Sequence, residues 1–225
     1  MPIVRDLNGE IVPVGKTYRK LEEPFLGIKT IPSWMNNTFG SYSISTPKTT
    51  QGYLKISTGL NLNDKAEIKL LGGICMDYVK EVMIKMDSFY FSHGDAMMDV
   101  CVSLQSKSNA GVSFGQQYSK HIGDNPELMR FIARKKPNVN TARKVNYTLT
   151  ANGEYKKRKN ISFHLRNDRT VYMMENDIVV AEHQFSSEKM DLNDPIEPSI
   201  TIHTKKAGIA VSLYVSRIEL GIWHN

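Results

Sequence analysis

Residues 160–185, NISFHLRNDRTVYMMENDIVVAEHQF, constrain this chain more than any other stretch. Ile161, Phe163 and Leu165 alternate with Ser162, His164 and Arg166, the period of two of a strand with one apolar face. Turn signals at Asn167-Asp168-Arg169 and Glu175-Asn176-Asp177 divide the segment into three short strands. The pattern predicts antiparallel β-structure with Ile161, Phe163 and Leu165 facing in, and with Ser162, His164 and Arg166 facing out.

The same grammar runs through the rest of the sequence. Strand patterns cover Gly40–Ile44, Gly52–Ser57, Ala66–Leu71 and Gly111–Ser119. In Tyr78–Asp87, Val82, Ile84 and Met86 alternate with Lys85 and Asp87, although propensity also allows a helix over Tyr78–Met86. In Ala96–Gln105, Met98, Val100, Val102 and Leu104 share one face, and Asp99, Cys101, Ser103 and Gln105 share the other. Leu128–Lys135 reads as strand or short helix, Val145–Thr150 and Ser199–His203 as strands, and Gly208–Trp223 as one long closing strand. Many short strands at even spacing predict a sandwich or barrel. Residues 1–33, broken by Pro2, Pro13, Pro24 and Pro32, read as an extended N-terminal arm. A single β domain then spans 34–225, and the arm offers a contact for a homo-oligomer or an assembly partner.

Composition removes several classes. With 40% hydrophobic and 23% charged residues the chain is not wholly disordered. No apolar run approaches the ~18–20 residues of a membrane span. The N-terminal stretch lacks a basic cluster followed by an apolar core, so a cytoplasmic location is expected. The two cysteines, Cys75 and Cys101, read as reduced, buried thiols. Histidines 93, 121, 164, 183, 203 and 224 are scattered singly, with no metal-ligand spacing. Gly111-Val112-Ser113-Phe114-Gly115 matches the letters of a nucleophile elbow. That device needs a parallel strand feeding a helix, and the flanks here read as antiparallel strand.

Trp34, Gly40-Ser41-Tyr42 and Gly52-Tyr53-Leu54-Lys55-Ile56 together resemble the opening strands of concanavalin A-like lectin and glucanase domains. YVKEVMIKMDS resembles the strand that begins their central sheet, 160–185 the strand-turn-strand-turn-strand of laminin-G modules, and GIAVSLYVSRIELGIWH the closing strand. The resemblance covers residues 34–225. It implies an all-β, antiparallel two-sheet jelly-roll sandwich whose concave sheet holds a sugar. No cofactor is expected, since His93-Gly94-Asp95 works as a turn without an ion; the alternative that the resemblance implies is calcium, held there by loop oxygens.

The glucanase branch of that superfamily carries E-x-D-x-x-E or E-x-D-x-E on one strand, and no such set occurs here. The nearest carboxylates are Asp87, Asp95 and Asp99, so a hydrolase would need an atypical pair such as Asp87 and Asp99 on neighbouring strands. The leading expectation is therefore a non-catalytic, lectin-like protein. Asp99, Ser103, Gln117 and Arg130 would hydrogen-bond a carbohydrate or polysaccharide, with Tyr118 and Trp34 as stacking platforms. Tyr172, Tyr214 and Trp223 are further aromatic candidates, although Trp34 and Trp223 also suit packing between neighbouring strands. Residues 130–169 hold twelve Lys/Arg against Glu154 and Asp168 alone, a local field that would attract an anionic polymer.

Overall fold

The computed structural model describes residues 18–26, 28, 30–45, 52–93, 98–116, 129–135, 139–147, 149 and 156–225. They form two antiparallel sheets packed face to face. One sheet contains β1 (Tyr18–Glu23), β3 (Ser41–Ser45), β4 (Tyr53–Ser57), β6 (Val79–Phe91), β11 (Lys159–Arg166), β12 (Thr170–Glu175), β13 (Ile178–Gln184), β15 (Ser212–Val215) and β16 (Arg217–His224). Its main path runs β13-β12-β11-β6-β15-β4-β3, and β16 lies between β6 and β1. The other sheet contains β2 (Met35–Phe39), β5 (Lys65–Leu70), β7 (Met98–Ser106), β8 (Gly111–Gln116), β9 (Arg130–Lys135), β10 (Val139–Lys144) and β14 (Ile196–Thr204). Its order is β10-β9-β8-β7-β14-β5-β2.

Alternation builds the interface between the sheets. Val100, Val102 and Leu104 of β7 and Ile200 and Ile202 of β14 turn inward, as do Ile84 of β6 and Phe163 and Leu165 of β11. Phe114 bridges the layers, with its ring centroid 5.4 Å from Phe131 beside it and 5.0 Å from Phe163 opposite. Gly40 lets the chain leave β2 in one sheet and enter β3 in the other. Its φ is +73°, and a Cβ there would stand 2.4 Å from the Ser57 carbonyl oxygen.

Residues 160–185 form the expected three strands. Arg169, Asn176 and Asp177 adopt positive φ in the two turns. The strand read over Tyr78–Asp87 is present as the 13-residue β6, since ladders with β11 and β16 and one face buried against the other sheet outweigh the local helix propensity. Three details differ from the sequence reading. The closing strand is two strands, β15 and β16, joined at Ser216, whose backbone N–H bonds the Asp87 carbonyl. The strand after β9 is Val139–Lys144, and the described residues of 145–150 are not in a strand. Finally, Ser162 and His164 face away from the core as expected but are only 4% exposed each.

Part of the 1–33 segment is woven into the sheet. β1 pairs along its whole length with β16, from Tyr18 opposite Trp223 to Glu23 opposite Ile218. Phe25, just beyond, is fully buried in the core.

Candidate ligand-binding groove

The outer face of the seven-stranded sheet carries a groove of about 460 Å³. Strand alternation that sends apolar residues inward sends polar ones into it. They are Lys65, Glu67 and Lys69 from β5, Glu197, Ser199, Thr201 and His203 from β14, Cys101, Ser103 and Gln105 from β7, and Arg134 from β9. Register sets them in rows. Lys69, Ser199, Ser103 and Ser113 form one row, and Glu67, Thr201, Cys101 and Gly115 the next. On this face β8 contributes only Gly111, Ser113 and Gly115, since Val112 and Phe114 point into the core.

The carboxylates here are engaged. Glu67 accepts hydrogen bonds from Thr38 Oγ1 at 2.5 Å and Thr201 Oγ1 at 3.3 Å, and Lys65 Nζ stands 3.7 Å away. Glu197 lies 3.8 Å from Lys69 Nζ and 3.4 Å from Lys107 Nζ. Burial pushes the His203 imidazole below its ordinary range, with Lys205 adding to the effect and Asp99 opposing it. Cys101 is half-buried as a residue and lines the groove, and burial raises its thiol above the ordinary range. Both cysteines are free.

Of the residues singled out from sequence, Ser103 lines this groove. Asp99 lies on the same face of β7, paired with Lys205 at 2.7 Å. Arg130 lies on the same face of β9, opposite Gly115, and is 9% exposed. Trp34 sits in the turn before β2 and packs against the core. Trp34 stands in a turn and Trp223 on β16, so they are not packed on neighbouring strands. Gln117 and Tyr118 lie outside the described residues, as do Gly94 and Asp95 of the turn considered for calcium. His93 Nδ1 is 2.7 Å from Ser92 Oγ. Asp87 is separated from Asp99 by the whole sandwich. It stands on the outer face of β6, held by Arg217, so the two cannot flank one bond. The basic stretch is likewise divided, with β9 and β10 in one sheet and β11 in the other. Among the described residues no three His, Cys, Asp or Glu side chains gather as a metal site, and no helix is long and apolar enough to cross a membrane.

The outer face of the nine-stranded sheet holds two further clusters. Glu81 on β6 accepts from His164 Nδ1 at 2.7 Å, Arg166 Nε at 3.1 Å and the Tyr172 hydroxyl. Burial alone would raise the Glu81 carboxyl, but these three donors hold it at about 2. His164 Nε2 lies 2.7 Å from Ser162 Oγ, so serine, histidine and glutamate stand in the order of an acyl-transfer triad. The setting is that of a packed polar network instead. Ser162 lies mid-strand between β6 and β12, inside ladders on both sides. Its backbone therefore offers no paired donors for an oxyanion. Tyr172 stacks on His164 at 4.2 Å, and the Trp223 ring lies tilted against Tyr18 at 4.5 Å. Further along, Tyr214 stacks on Tyr90 at 4.6 Å, with Arg158 over Tyr90 at 6.0 Å.

No family model and no curated protein matches this sequence. Solved structures do match it in shape. A glycoside hydrolase family 16 endo-glucanase from Bacteroides ovatus aligns with a TM-score of 0.60 at 8% identity, over 89% of this chain and 99% of that one. The Crh5 transglycosylase aligns at 0.57 and 11% identity, over 89% and 83%. The carbohydrate recognition domain of Emp46p aligns at 0.53 and 9% identity, over 84% and 88%. The protein is thus an antiparallel jelly-roll sandwich of the concanavalin A-like class, as the sequence resemblance implied. Identities this low speak to the fold alone.

Proposed function

We propose that the protein binds a polysaccharide in the groove of the seven-stranded sheet and does not cleave it. One observation carries this reading. Three adjacent strands, β7, β14 and β5, together with Arg134 of β9 across the glycine-bearing β8, present hydroxyl, amide, carboxylate, ammonium and guanidinium groups to one groove. Sugar hydroxyls both donate and accept, so such a mixed lining suits them. The enzymes and the recognition domain named above, which share this architecture, lend the reading support by analogy.

Binding is favoured over hydrolysis by the carboxylates. Glycosidases place two carboxyl groups about 5–10 Å apart. Glu67 and Asp99 are two strands and two residues apart in register, which sets their Cα atoms about 12 Å apart. Each is already held, Glu67 by two threonines and Asp99 by Lys205.

Affinity electrophoresis against a panel of neutral and acidic polysaccharides, with a parallel assay for released reducing ends, tests the proposal. Retardation by at least one polymer without release is expected. Release of reducing ends would favour hydrolysis, and mobility unchanged by every polymer would remove the proposal.

A further inference from the structure

Gly111 has two register partners on the outer face, Gln105 of β7 and Arg134 of β9. Gly111 adds no side chain between them, and none can be added. Its φ is +116°, and a Cβ would stand 2.5 Å from the Leu104 carbonyl oxygen. The space between the two walls stays open, and both walls line the groove. Gln105 is 7% exposed. Gln105 Nε2 and Arg134 Nε are buried N–H donors with no acceptor among the described residues. The carboxylate on the far side of Gln105, Glu197, is turned to Lys69 and Lys107.

Two buried, unpaired donors on side chains that line one groove and flank Gly111 call for an acceptor from outside. The lining around them is cationic, with Lys65, Lys69, Lys107 and Arg134 against Glu67 and Glu197. An acceptor bearing negative charge gains most there, because hydrogen bonds to ionised groups are the strong ones. Resting on the polysaccharide reading, we propose that this end of the groove is an oxyanion subsite, formed by Gln105 and Arg134, for the carboxylate or sulfate of an acidic polysaccharide.

The test compares polygalacturonate, dextran sulfate and a neutral β-glucan by isothermal titration at 0.15 M salt. The proteins are the wild type, Arg134→Gln, Gln105→Leu, and Lys80→Gln as a control on the opposite sheet. The wild type should bind one acidic polymer at least tenfold more tightly than the neutral one, and which acidic polymer wins identifies the oxyanion. Arg134→Gln and Gln105→Leu should each remove most of that preference, while Lys80→Gln changes affinity less than twofold. Gln105→Leu also deletes an unpaired buried donor, so its melting temperature should be equal to or above that of the wild type. A merely structural residue would not combine kept stability with lost binding. Equal losses in Lys80→Gln and Arg134→Gln would overturn the subsite in favour of general charge attraction. Tight binding of the neutral polymer, unaffected by either groove variant, would overturn the subsite and leave the polysaccharide reading standing. No binding of any polymer would overturn both.

Discussion

His164 donates from Nδ1 to the Glu81 carboxylate at 2.7 Å, although the two residues are 83 positions apart. β6 and β11 run antiparallel with Arg166 opposite Glu81 and His164 opposite Met83. Glu81 therefore sits diagonally from His164 on the same outer face. With Tyr172, Arg166 and Ser162 they form a polar knot at the centre of the nine-stranded sheet.

That knot makes stability depend on pH in a defined window. Unfolded, the Glu81 carboxyl has its ordinary value of 4.5; folded, it is held at about 2. Its contribution is complete above pH 4.5 and is lost as pH falls from there towards 2. A shift of this size corresponds to roughly 3 kcal/mol. Glu81→Gln should lower stability at neutral pH and flatten the fall between pH 4.5 and 2 relative to the wild type. Urea denaturation at a series of pH values measures both. Parallel curves for the two proteins would contradict the role given to Glu81.

Gly40 should tolerate no side chain. Gly40→Ala combines a positive φ with a clash against the Ser57 carbonyl and the Ala66 Cβ. A loss of roughly 2 kcal/mol or more is expected. A denaturation midpoint equal to that of the wild type would show that the crossing between the sheets is not built as described.

Cys101 reports on the groove. In a Cys75→Ser background it is the remaining thiol of the two in the sequence. Burial among Ser103 and its neighbours keeps it protonated, because its thiol is pushed up. Maleimide labelling at pH 7 should be many-fold slower than in urea, and slower again with a bound polysaccharide. Labelling as fast as that of a free small-molecule thiol would place Cys101 outside the groove.

The faces of the strands could be read from single segments. Asp99, Cys101, Ser103 and Gln105 alternate with Met98, Val100, Val102 and Leu104, and that alternation alone separates groove from core. Cross-strand neighbours could not be read in this way. β7 is flanked by β8 and by β14, the latter about a hundred residues further along. Nothing local announces that Ser199 will sit beside Ser103. Lys65, Glu67, Lys69, Ser199, Thr201 and His203 were missed for this reason, although each lies on the polar phase of its own strand. Ser162 and His164 show the converse. Their phase is outward, as read, but Glu81 and Tyr172 arrive from neighbouring strands and bury them. Period two gives direction relative to the sheet, and exposure depends on what the neighbours bring.

The two outer faces offer rival surfaces, and one comparison decides between them. The polysaccharide bound most tightly in the panel is titrated calorimetrically against the wild type, Ser103→Trp and Tyr214→Ala. Ser103→Trp fills the groove of the seven-stranded sheet, and Tyr214→Ala removes a ring from the stack with Tyr90 on the other sheet. The expected result is a loss of at least tenfold in affinity for Ser103→Trp, with an unchanged melting temperature, and less than a twofold change for Tyr214→Ala. Full affinity in Ser103→Trp with binding abolished in Tyr214→Ala would contradict the groove as the binding site.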